Sequence, residues 1–88
     1  MIAMKKYKLK ESIIYQEVGE EALLLDGKTE EVFSLNAVAR DIWLAVQRTN
    51  SLDAAVAEMI LLYKVDASIL RRDALALLKS IREAGLLE

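Results

Sequence analysis

Hydrophobic and polar positions change period once along the chain, at Leu35-Asn36. Before that point the apolar residues fall in short runs. Ser12 to Val18 holds Ile13, Ile14, Tyr15 and Val18 and closes at Gly19-Glu20. Glu21 to Asp26 holds Leu23-Leu24-Leu25 and closes at Asp26-Gly27, and Glu31 to Leu35 holds Val32, Phe33 and Leu35. Short apolar runs bounded by turn residues read as strands. Asp-Gly is a hairpin signal, because glycine accepts a positive φ without steric cost. Three such strands with tight turns between them predict an antiparallel meander.

After Asn36 the apolar positions recur at helical spacing. Asn36 is an N-cap candidate, since its side-chain oxygen can accept a backbone N–H one turn later. Val38, Ala39, Ile42, Trp43 and Val46 form the apolar face of the helix that follows. Thr49-Asn50-Ser51 breaks the pattern, and Ser51 caps a second helix with Leu52, Ala55, Val56, Met59, Ile60 and Tyr63 inward. Leu61 and Leu62 make that helix apolar on a second face, part of which is expected to be covered. Lys64-Val65-Asp66 is the next break. Asp66 caps a third helix, whose core stripe reads as Leu70, Ala74, Leu77 and Ile81. Gly85 supplies its stop, with Leu86-Leu87 folding back as the apolar contact of a glycine cap.

Strands first and helices after, without alternation, predict an α+β fold. The parts fit a winged-helix-like module, a three-stranded antiparallel sheet followed by three helices. The 88 residues suffice for one domain spanning 1–88. Residues 1–10 read either as a short strand, with Tyr7 and Leu9 alternating with lysines, or as a solvated terminus. Trp43, the single tryptophan, reads as a core anchor.

Composition narrows the function. The formal net charge is −2, against a nucleic-acid binder, which ordinarily carries a basic face. With no cysteine and no histidine, disulfides, thiol chemistry, Cys/His zinc sites and the common nucleophile–base pairs are ruled out. None of the serines sits in a Gly-x-Ser-x-Gly elbow. Gly27-Lys28-Thr29 ends like a phosphate-binding loop, but the upstream glycine is replaced by Ala22. The carboxylate pairs Glu20-Glu21 and Glu30-Glu31 read as solvated charges that protect strand ends. No enzyme activity, metal or cofactor is expected. Met1-Ile2-Ala3-Met4 is too short for the apolar region of a signal peptide, and no apolar run approaches the ~20 residues of a membrane span. The expectation is a soluble cytoplasmic protein without membrane contact.

Phe33-x-Leu35-Asn36 followed by Ile42-Trp43, a helix ending near Tyr63, a Val65-Asp66 turn, Asp73 and Gly85-Leu86-Leu87 come in an order that resembles the PqqD-like family. Those proteins are also called RiPP recognition elements. The likeness runs from about Ser12 to Glu88. Two positions depart from it: Ala39 stands where relatives often have glycine, and Ala67 where proline is common. The tryptophan and the lack of cysteine look more like the stand-alone modules of lasso-peptide clusters than like the PQQ-biosynthesis protein.

The resemblance implies a non-catalytic adaptor. It would bind the leader segment of a ribosomally made precursor peptide and present it to a separate protease, cyclase or other modifying enzyme. It also implies that the leader adds as a strand beside the third strand and packs against the third helix, by β-augmentation. Here that strand is Glu31, Val32, Phe33 and Ser34. Helical geometry groups Arg71, Leu75, Leu78 and Arg82 on one border of the third helix, beside the expected core stripe. These eight residues are the expected peptide site; the opposite border, Asp73, Ala76 and Ser80, is the alternative. A DNA-binding winged helix is the competing function, resting on Arg71, Arg72, Lys79 and Arg82.

Overall fold

The computed structural model describes residues 6–88. Strands β1 (Ile13–Val18), β2 (Glu21–Asp26) and β3 (Val32–Leu35) precede helices α1 (Ala37–Thr49), α2 (Leu52–Tyr63) and α3 (Ala67–Glu83). The sheet is an antiparallel meander in the order β1-β2-β3, so β3 is an edge strand. This is the expected α+β arrangement. Its inner face carries Ile13, Ala22, Leu24 and Leu35, all buried against the helices. Alternation leaves Ile14, Val18 and Val32 on the outer face, each about half exposed.

Each helix starts at a side-chain cap. Asn36 Oδ1 accepts from Ala39 N–H at 2.8 Å, and Ser51 Oγ from Ala54 N–H at 3.2 Å. Asp66 Oδ1 accepts from Ser68 N–H at 2.8 Å, and the Ser68 hydroxyl and backbone hold its carboxyl below the usual range. Such caps satisfy N–H groups that the helix cannot. At the far end of α3, Gly85 takes φ +76°. Gly85 N–H then donates to Arg82 O at 3.0 Å and Leu86 N–H to Ile81 O at 3.3 Å. This is a Schellman closure, and it turns Leu86 and Leu87 into the core.

The β2–β3 connection departs from the expected tight turn. Gly27 does not adopt a positive φ; Glu30 does, at 64°. The loop is held instead by Asp26, whose Oδ1 accepts from Lys28 N–H at 2.8 Å. Chiefly that bond keeps the Asp26 carboxyl below its ordinary value. Gly27 is useful for close approach: its N–H donates to Ser12 O at 2.9 Å, and a Cβ there would stand 3.3 Å from the same oxygen.

Trp43 is 2% exposed, and with Met59, Val46 and Ile81 it fills the space between sheet and helices. The buried stripe of α3 differs from expectation by one position. Leu70, Ala74, Leu78 and Ile81 are buried, whereas Leu77 is only half-buried. α3 packs chiefly on α2 and lightly on α1, so its inward face is turned toward Leu78. Leu61 and Leu62 are 81% and 71% exposed, so the second face of α2 is not covered within the described residues.

Of the first ten residues, 6–10 are described; the expectation for residues 1–5 lies outside the described residues. Leu9 bridges Leu87 in antiparallel sense, with Lys10 N–H donating to Leu86 O at 2.9 Å and Glu88 N–H to Lys8 O at 2.8 Å. Gln47 Nε2 donates to Tyr7 O at 2.6 Å, and Lys6 N–H to Asn50 Oδ1 at 2.8 Å. This segment is thus clasped between the chain's last residues and the end of α1.

Candidate functional site

The site begins with the direction of backbone groups in β3. Asp26 N–H donates to Glu31 O at 2.9 Å, so Asp26 and Glu31 form a hydrogen-bonded pair. Bonded and non-bonded pairs alternate in an antiparallel ladder. With Leu24 opposite Phe33 and Leu23 opposite Ser34, Phe33 and Leu35 bond to β2, while Val32 and Ser34 turn their N–H and C=O groups outward. Both outward residues therefore offer a donor and an acceptor along a free edge.

Beside that edge lies a cleft of about 470 Å³. Phe33 and Ser34 form one wall, and the stripe Asp73, Ala76, Leu77 and Ser80 of α3 forms the other. The chain turns sharply at Asn36 into α1, which brings Asn36, Val38, Ala39 and Ile42 to the floor. Among the described residues Asp73 is the only ionisable one in the lining. Its carboxylate has Arg72 Nε 3.8 Å away, and both side chains are more than half exposed.

The expected site residues divide. Glu31 is exposed at the head of β3, and its carbonyl is used by Asp26. Val32, Phe33 and Ser34 stand at the free edge as described. Arg71, Leu75, Leu78 and Arg82 do not line this cleft. Leu78 is 5% exposed, in the core, and Arg71 is ion-paired with Asp53 of α2. Leu75, Leu78 and Arg82 border a separate hollow of about 330 Å³ with Tyr7, Lys79 and Glu83. The alternative border, Asp73, Ala76 and Ser80, is the one beside β3. Both borders flank the buried stripe, and Leu77, half-buried, stands at its margin on the β3 side. The α1 floor was not foreseen as part of a site. Its one signal is that Asn36 caps α1 directly after the edge strand, which obliges the first turn of α1 to lie next to β3.

Three of the basic residues of α3, Arg71, Arg72 and Lys79, have acidic neighbours. Besides Arg71 with Asp53, Lys79 has Glu83 at 3.9 Å. A second polar cluster lies elsewhere: the Tyr63 hydroxyl donates to Asp41, Arg40 bonds Asp41 at 3.0 Å, and the Tyr15 hydroxyl donates to Glu17 at 2.7 Å. Burial, and then the Glu17 bond, push the Tyr15 phenol up to about 12. These bonds tie α1 to α2 and brace β1. Among the described residues no group of three His, Cys, Asp or Glu is placed to hold a metal ion. No helix among them is long and apolar enough to cross a membrane.

Comparison with known proteins bears on this geometry. The sequence profile of coenzyme PQQ synthesis protein D (PqqD) matches residues 21–87. No curated protein gives a significant match. The fold is similar to the solved structure of TbiB1 in complex with the TbiA(beta) leader peptide, at TM-score 0.81 and 26% identity, over 92% of this chain and 94% of that one. It is also similar to lasso peptide synthetase B1 complexed with the leader peptide, at TM-score 0.78 and 27% identity, over 94% and 98% of the two chains.

Proposed function

The chain belongs to the PqqD family, and from that premise we propose that it is a RiPP recognition element of the lasso-peptide kind, an adaptor for a precursor's leader segment. The observation that carries this reading is the edge at Val32 and Ser34, unpaired among the described residues, beside a mainly apolar cleft. An extended peptide added there gains backbone hydrogen bonds from the edge and side-chain selection from the cleft. Both structural relatives hold a leader peptide, which supports the same use of this fold.

The adaptor performs no chemistry of its own. It holds the leader so that a separate protease, cyclase or other modifying enzyme meets the attached core segment at high effective concentration. The contact residues of this reading are Val32, Phe33 and Ser34 on the strand, with Ala76, Leu77 and Ser80 on the helix. The α3 border of Arg71, Leu75, Leu78 and Arg82 is the rival location.

The test is titration of isotope-labelled protein with synthetic leader peptides from short precursor reading frames neighbouring its gene. The expected result is saturable shifts of the Val32 and Ser34 amides and of the α3 residues facing them. Shifts confined to Tyr7, Leu75 and Arg82, or none with any such leader, would defeat the proposal.

A further inference from the structure

We propose that Asp73 is a specificity residue of the cleft and selects a ligand segment carrying a lysine or arginine two positions from an apolar residue. This rests on the peptide-binding reading of the same cleft and adds the charge of the ligand to it.

Phe33, Val38, Ala76 and Leu77 offer apolar surface, and the polar members Ser34, Asn36 and Ser80 are uncharged. Among the described residues Asp73 alone carries a charge there, and Arg72 is its one ion-pair partner, at 3.8 Å. At that separation, between neighbouring exposed side chains, the pair is loose. A peptide laid along β3 covers the cleft and takes water away from the carboxylate. A carboxylate that loses water needs a donor or a counter-charge in return. An apolar ligand side chain at that point would leave it uncompensated, whereas a lysine or arginine would form a charge-assisted hydrogen bond.

Geometry sets the spacing. From residue 73 to residue 80, α3 rises ~10.5 Å. In an added strand, side chains on one face recur about every 6.6–6.8 Å. Two inward side chains therefore span the helix stripe, one at the Asp73 end and the next over Ala76 and Leu77. The ligand pattern is basic-x-apolar or its reverse, according to strand direction.

The experiment is a selection of random twelve-residue peptides displayed on phage. It is run in parallel against the parent protein, Asp73→Asn, Asp73→Lys and Ser34→Pro. The parent should enrich peptides with a basic residue two positions from an apolar one. Synthetic copies of these should bind Asp73→Asn about tenfold more weakly, the change expected for one charge-assisted bond. Asp73→Lys should enrich aspartate or glutamate at the same position. All these peptides should lose affinity for Ser34→Pro, which locates them at the strand edge. Peptides that depend on Ser34 but show no charge preference, or the same preference with all three residues at position 73, would overturn the role of Asp73 and leave peptide binding standing. Selected peptides indifferent to Ser34→Pro, or no enrichment at all, would overturn both.

Discussion

α3 has a hollow on each side, and the two differ in the state of the backbone beside them. The one toward β3 adjoins a strand whose Val32 and Ser34 backbone groups are unpaired among the described residues. The one toward Tyr7 is smaller and also largely apolar, but the backbone near it is spent: the Tyr7 carbonyl accepts from Gln47, and residues 8–10 pair with residues 86–88. Its rim is charged, with Lys79, Arg82 and Glu83. An apolar hollow alone gives an extended peptide side-chain contacts. Only the hollow next to an open edge also gives a ladder of hydrogen bonds that fixes register and direction. On this ground we propose the β3 side for peptide recognition.

The strongest way to break this assignment is to fill the β3 cleft. Ala76 is exposed on its wall, so Ala76→Trp should leave the fold intact and weaken leader binding by more than about tenfold, or 1.4 kcal/mol. Calorimetric titration beside circular dichroism measures both; an unimpaired variant would place the ligand elsewhere. Val32→Pro and Ser34→Pro come next. Each deletes one outward donor on a strand that tolerates proline at its edge. Each should cost about 0.5–1.5 kcal/mol of binding, roughly two- to twelvefold. Equal affinity for both folded variants would exclude the edge.

Acid should sharpen the comparison through the caps. Asp66 holds the start of α3, and Asp26 holds the loop before β3; both carboxyls lie below their ordinary 3.8 when folded. A carboxyl lowered by folding stabilises above its unfolded value, and the benefit is lost as pH falls through the folded one. The melting temperature should therefore fall as pH drops below 3.8, and less steeply in Asp66→Asn, whose cap does not titrate. A parallel fall in parent and variant would show that Asp66 has no part in it. The smallest effect belongs to the other hollow. Leu75→Glu, at a half-exposed position there, should change leader binding by no more than about twofold, as a surface substitution does. A large loss would restore the rival border.

What was legible in the sequence follows from how local each signal is. The caps Asn36, Ser51 and Asp66 and the glycine stop at Gly85 act within a few residues, so the element boundaries agree to about one position. The family motif, centred on Phe33, Leu35 and Asn36, was legible for the same reason. The burial of Leu78 in place of Leu77 was not. Leu77 and Leu78 are equally apolar, and which one is buried depends on α3 leaning on α2, a long-range fact that helical periodicity does not contain. Nor does periodicity say which flank of α3 stands beside β3, since both borders adjoin the buried stripe. The β2–β3 loop escaped because Asp26 captures Lys28 N–H and passes the positive φ on to Glu30, a residue type that does not advertise it.

The clasp between residues 8–10 and 86–88 has a kinetic consequence. It joins nearly the full length of the chain, whereas the two hairpins and the α1–α2 pair join neighbours. Contacts of such long sequence separation carry the largest loop-closure cost and form after local ones. Interactions absent from the folding transition state govern the unfolding rate and leave the folding rate nearly unchanged. The clasp should therefore act as a latch on the lifetime of the folded state: loosening the Leu9–Leu87 bridge should shorten that lifetime, while the sheet and its open edge should assemble as fast as before.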